Sequence, residues 1–179
     1  MVLRIPYLIM KKIILVLTAL IVFSMNAQQG IIDPVKWDSK VEKISDTEYD
    51  IILKGFIESD WHVFSQFTSE EGSLPSVLTF ENSKGNYELI GDAKESKTVI
   101  AFNEIFEVEE TYFLDEVQFT QRIKLSSNLV KQVHVRLNYQ VCKEVCLNKE
   151  ENFVLALDGG SLSQKYPKFS ILRGRKCIF

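Results

Sequence analysis

The chain has 179 residues, 46% of them hydrophobic and 25% charged, which suits one globular domain with a sizeable core. Its formal charge of −3 hides an asymmetry, because residues 31–158 carry 13 Lys and Arg against 24 Asp and Glu, a balance of −11. An acidic domain lacks the basic face that phosphates require, which excludes nucleic acid as a partner and leaves either an ordinary solvated surface or the steering of a basic partner.

The first element is an export signal over residues 1–27. Lys11 and Lys12 precede an apolar run from Ile13 to Phe23, and Ser24-Met25-Asn26-Ala27 supplies small residues before Gln28. Met10 makes a more compact start than Met1, so residues 1–9 read as a start-site artefact. The apolar run is shorter than the roughly 20 residues of a membrane span. The expectation is a cleaved signal peptide and a soluble mature domain over residues 31–158 in the periplasm.

After the signal the dominant period is two. Strands are expected at Val35–Ile44, around Tyr49, Ile51 and Leu53, and at Trp61–Gln66, Ser76–Glu81 and Tyr87–Gly91. Glu116–Leu125 alternates strictly, with Val117, Phe119, Ile123 and Leu125 on one face. Val133–Cys142 alternates likewise, and Phe153, Leu155 and Leu157 close the series. Turn formers separate these runs at Ser45-Asp46, Glu58-Ser59-Asp60, Gly72-Ser73-Leu74-Pro75, Asn82-Ser83-Lys84-Gly85 and Ser126-Ser127-Asn128. No helical stripe follows the signal. Many short strands with frequent turns predict an all-β sandwich. Ser96–Tyr112 breaks the pattern by mixing apolar residues with acids, and reads as a strand edge or an overlying loop. Residues 159–179, with five basic residues and no acidic one, read as a tail.

Three cysteines, an odd number, leave at least one outside any internal pair. Cys142 and Cys146 stand at the end of the Val133–Cys142 strand, separated by Lys143-Glu144-Val145, and Cys177 lies near the end of the chain. With Tyr139 and Val141 facing the core, alternation turns Cys142 outward with Asn138 and Gln140. A tight reversal would bring the sulfurs within bonding range if the Cα atoms come within about 4.4–6.8 Å. Two readings stay open. The pair is either a structural staple, as exported domains commonly have, or a redox-active couple. A loop this short gains only about 2 kcal/mol from closure, and a solvent-facing strand end gives partner proteins access. Lys143 favours thiolate and Glu144 opposes it. Zinc is disfavoured, since His134 lies about 26 Å along the strand from Cys142 and only His62 remains as a third ligand. No Gly-x-Ser-x-Gly elbow or phosphate-binding glycine loop occurs.

Asp33-Pro34-Val35-Lys36-Trp37, Trp61-His62-Val63-Phe64-Ser65-Gln66 and Tyr139-Gln140-Val141-Cys142-Lys143-Glu144-Val145-Cys146-Leu147 resemble the N-terminal periplasmic domain of the thiol:disulfide interchange protein DsbD. The resemblance covers Ile31 to Leu157. It implies an immunoglobulin-like β-sandwich with an inserted cap-loop and active-site region, working as a protein-disulfide reductase domain without cofactor or metal. It implies that Cys146 forms the mixed disulfide with a partner and that Cys142 resolves it. The cap loop matches Asn103-Glu104-Ile105-Phe106: the family phenylalanine aligns with Ile105, Phe106 is the expected cap residue, Glu104 matches a cap carboxylate, and His62 and Phe64 line the site. Implied partners are periplasmic thioredoxin-like proteins and disulfide isomerases, including those of cytochrome c biogenesis, with a thioredoxin-like domain as electron donor. Full-length family members continue into a membrane domain, so the chain is expected to be a free-standing shuttle or a truncated piece whose tail, with Cys177, is foreign to the family.

Overall fold

The structure, a computed structural model, describes Lys11 and residues 32–158. The expected signal peptide and the 159–179 tail fall outside the described residues. Among the described residues no helix is long and apolar enough to cross a membrane.

Among the described residues ten strands form two sheets. They are β1 (Val35–Lys43), β2 (Glu48–Ile57), β3 (His62–Phe64), β4 (Val77–Phe80), β5 (Tyr87–Glu95), β6 (Val99–Asn103), β7 (Val108–Phe113), β8 (Glu116–Leu125), β9 (Gln132–Cys142) and β10 (Cys146–Ala156). One sheet runs β1-β2-β8-β5 and the other β10-β9-β3-β7-β6, with β4 also on β9. All the pairings are antiparallel. The class predicted from the alternating pattern, an all-β sandwich, is the one observed.

The alternation has a direct structural cause. Val117, Phe119, Ile123 and Leu125 of β8 and Val133, Val135, Leu137, Tyr139 and Val141 of β9 are buried in one cluster between the sheets. Trp37 of β1 closes that core, with its ring 5.3 Å from Tyr139 and 6.2 Å from Phe119. Gly55 lies under it. A Cβ there would stand 2.8 Å from Val117 Cγ1 and 3.1 Å from Trp37 Cε3, so the approach of these side chains to β2 requires glycine.

Some expected boundaries moved. The strand expected at Tyr87–Gly91 continues to Glu95, because the register shifts between Ile90 and Lys94 and Gly91 takes φ 65°. A glycine at positive φ lets the strand bulge and resume. The ambiguous Ser96–Tyr112 segment is a hairpin of β6 and β7 at the edge of the larger sheet. The last strand begins at Cys146, well before Phe153.

Strands β3 and β4 together act as one interrupted neighbour of β9. Val63 pairs with Val141, Val77 pairs with Asn138, and the segment between them leaves the sheet. Its ends are tied, since Ser76 N donates to Ser65 O at 3.3 Å and Ser76 Oγ to Phe64 O at 2.6 Å. Such a loop with closed ends is a compact excursion from the sheet. It leaves the strand end that carries Cys142.

Candidate functional site

Cys142 and Cys146 are bonded to each other across the β9–β10 turn, with Cα atoms 4.1 Å apart. They are also direct strand partners, Cys146 opposite Cys142, which places both side chains on one face at close range. Lys143, Glu144 and Val145 make the reversal, with Lys143 N donating to Val145 O at 3.1 Å.

The two sulfur-bearing residues differ sharply in exposure. Cys146 is exposed, whereas Cys142 is only 3% exposed. The outward, solvent-facing position expected for Cys142 is thus half correct. It does lie on the face opposite Tyr139 and Val141, but that face is not open there. Cys142 is hydrogen-bonded into the sheet between two strands, facing His62 of β3 as well as Cys146 of β10. Alternation reports the face, and only the tertiary pairing reports whether the face is covered.

His62 is the strand partner of Cys142, and Phe64 lies two residues further along β3. Val63 faces the core, so its two neighbours point to the Cys142 side. Phe64 is 1% exposed yet outside the inter-sheet cluster, packed with its ring 6.2 Å from Tyr112. The His62 ring lies 5.1 Å from Phe64 and 4.8 Å from Tyr112. Burial pushes the His62 imidazole below its ordinary pKa, and the Glu110 carboxylate pulls weakly the other way. Neutral imidazole is therefore the native form. A basic group with a lowered native pKa binds more protons in the unfolded chain, so its contribution to stability is full above about pH 6.5 and falls as pH drops below it. The unfolding free energy is expected to decrease from pH 7 to pH 5, and denaturant titrations should show a shallower slope for His62→Gln.

Glu104, Ile105 and Phe106 lie together in the turn joining β6 and β7. Ile105 is 86% exposed and Phe106 50%, so both apolar side chains are presented to solvent at the tip. Asn103 Oδ1 accepts from Ile105 N at 2.9 Å and from Phe106 N at 3.3 Å, which organises the tip. Glu107 closes it at φ 58°. Lys143 is engaged with Asp60 Oδ2 at 3.0 Å, so its charge is already partnered. Among the described residues no cluster of three His, Cys, Asp or Glu side chains is arranged to hold a metal ion.

Two residues of this neighbourhood escaped the sequence reading. Glu110 is 6% exposed and accepts from Ser73 N at 2.8 Å and from Asn103 Nδ2 at 2.9 Å. Burial alone would raise its pKa, but the hydrogen bonds from Asn103 and Ser73 and the nearby His62 hold it below the usual value. Tyr112 completes the ring cluster. Neither carries a motif, and Glu110 sits in a run of acids that reads as surface.

Residues 29–158 match the family described as the N-terminal domain of the thiol:disulfide interchange protein DsbD. The chain belongs to that family. No curated protein sequence matches it significantly. Among solved structures, the N-terminal periplasmic domain of ScsB from Proteus mirabilis is similar with a TM-score of 0.56 at 16% identity, covering 72% of this chain and 48% of that one. This chain thus spans about half the length of that ScsB structure. The reduced Neisseria meningitidis DsbD N-terminal domain gives 0.46 at 17% identity, covering 70% and 90%. The same Neisseria domain, in its complex with the PilB N-terminal domain, gives 0.48 at 16%, covering 72% and 89%. The DsbD N-terminal fold of this chain is a two-sheet antiparallel β-sandwich, and its cysteine couple sits at the end of the β9–β10 hairpin.

Proposed function

We propose that this DsbD-type domain is an exported, periplasmic dithiol shuttle that passes electrons to disulfides of thioredoxin-like proteins and disulfide isomerases. The observation that carries the reading is the inequality of the pair: one exposed cysteine bonded to one buried cysteine. That division suits thiol–disulfide exchange, in which access decides which sulfur meets the partner. In the reduced domain the Cys146 thiolate attacks a partner sulfur, forming a mixed disulfide and expelling the partner's other sulfur as thiolate. Cys142 then loses its proton and attacks Cys146. The mixed bond breaks, the second partner thiolate leaves, and the Cys142–Cys146 bond re-forms. Two electrons and two protons have moved from the domain to the partner, and no cofactor enters the balance. A thioredoxin-like donor reverses these steps to reload the pair.

The hairpin tip of Glu104, Ile105 and Phe106 serves in this reading as the cap that shields the couple, with His62 and Phe64 as its aromatic floor. What supports it is the placement of apolar side chains on an organised turn with no core to fill. The test is a titration of the purified domain against glutathione buffers, followed by mixing the reduced form with an oxidised thioredoxin-like protein. The expected result is a two-electron transition with stoichiometric appearance of partner thiols. A bond that stays closed in mild reductant, or reduced thiols that leave the partner oxidised, would favour a plain structural staple instead.

A further inference from the structure

We infer that Glu110 is the positioning residue of the cap, a buried carboxylate that fixes the β6–β7 tip through Asn103 and thereby sets access to the Cys142–Cys146 bond. This rests on the cap role proposed above for the tip.

The geometry is a relay of three elements. Glu110 stands on β7, its Oε1 takes Ser73 N of the loop that interrupts β3 and β4, and its Oε2 takes Asn103 Nδ2 at the end of β6. The other end of the same Asn103 amide accepts from Ile105 and Phe106. Because the Asn103 nitrogen is committed to Glu110, its oxygen is turned toward the tip. A primary amide has one donating and one accepting end, so the carboxylate fixes the sense of the Asn103 amide and hence the tip bonds. Room to shift is lacking, since a Cβ on Gly72 would stand 2.7 Å from Glu110 Oε1 and 3.0 Å from Val108 Cγ2. The same loop reaches the cysteine-bearing strand, with Leu74 N donating to Gln140 Oε1 at 3.1 Å. His62, the strand partner of Cys142, interacts electrostatically with Glu110 and packs against the Phe64 and Tyr112 rings. One carboxylate therefore joins the loop, the tip and the floor of the site.

Exchanging the donors and acceptors tests this without removing bulk. In Glu110→Gln the side-chain amide has only one accepting end for donors that come from both Ser73 and Asn103. With its oxygen on Ser73 N, its nitrogen faces the Asn103 nitrogen, and turning Asn103 round would put a donor against the Ile105 and Phe106 amides. In Asn103→Asp two carboxylates face each other. Combining the two restores complementarity, because the amide introduced at position 110 donates to the carboxylate introduced at position 103, which still accepts from the tip.

At pH 7, on the oxidised chain, amide hydrogen exchange at Ile105 and Phe106 should speed up about tenfold or more in each single variant. Exchange at Leu137 and Tyr139 in β9 should stay unchanged, and reduction of the disulfide by dithiothreitol should be severalfold faster. The double variant should return both readouts toward the parent. Unchanged tip amides, or a double variant as loose as the singles, would overturn the clamp. Loosened tip amides with an unchanged reduction rate would overturn its link to the couple. Should Glu110→Gln not fold, Asn103→Asp and the double variant decide. Dithiothreitol reports access to the bond whether or not a protein partner accepts electrons, so failure of the shuttle reading is seen separately, in the glutathione and partner experiment.

Discussion

Replacing Cys142 by alanine should convert the domain into a trap, while replacing Cys146 by alanine should leave it unable to capture a partner at all. The asymmetry follows from exposure. In Cys142→Ala the exposed Cys146 remains and still attacks a partner disulfide, but nothing next to it can expel the partner, so the mixed disulfide accumulates. In Cys146→Ala the surviving sulfur is Cys142, 3% exposed and flanked by His62 and its former bonding partner's position. A sulfur buried in that way is harder for a partner to reach. Incubating each variant with an oxidised thioredoxin-like protein and separating the products without reductant should show a covalent complex for Cys142→Ala, exceeding that of Cys146→Ala by at least an order of magnitude. Equal trapping would mean that burial in the resting fold does not set the order of attack. The proposed roles of the two sulfurs would then be withdrawn.

Much of this arrangement was legible in the sequence where one face of a strand is wet and the other dry. Strands β8 and β9 alternate because each has a core side and a solvent side, and their residues identified both the sandwich and the strand end that carries Cys142. The pattern failed where strands are short or at an edge. Val99-Ile100-Ala101-Phe102 shows no alternation, so its segment reads only as a strand edge or an overlying loop; β6 does end the sheet, and Ile100 and Phe102 are more than 60% exposed. Apolar residues on a protruding hairpin carry no periodic signature, so only a resemblance to a known domain pointed there. The burial of Cys142 was likewise hidden, because it comes from pairing with His62, which lies 80 positions away in sequence. Glu110 was hidden for another reason. Its neighbours Glu107 and Glu109 are exposed, and nothing local distinguishes the one acid whose oxygens are taken by Ser73 and Asn103.

Opening the disulfide should cost this fold less than deleting one core ring. The bond closes a loop of only five residues, Cys142 to Cys146, whose chain-entropy worth is about 2 kcal/mol. Those residues are already in register through the β9–β10 pairing, so the reduced chain keeps the hairpin. Phe119 is fully buried, stacked 6.2 Å from Trp37 and edge-on 5.8 Å from Phe113, at the point where β8 meets the opposite sheet. Phe119→Ala removes those contacts and leaves a cavity that strands locked in antiparallel register cannot close, a loss of about 3–5 kcal/mol. Against a total stability of roughly 5–15 kcal/mol, that is enough to unfold a marginal domain. Urea titrations of the oxidised domain, the reduced domain and oxidised Phe119→Ala should rank their stabilities in that order. The ranking matters for function, because a carrier must survive with its bond open during each cycle. If reduction instead proved costlier than Phe119→Ala, the bond would be holding the sandwich together, and a couple that must open to work could not be the one holding it.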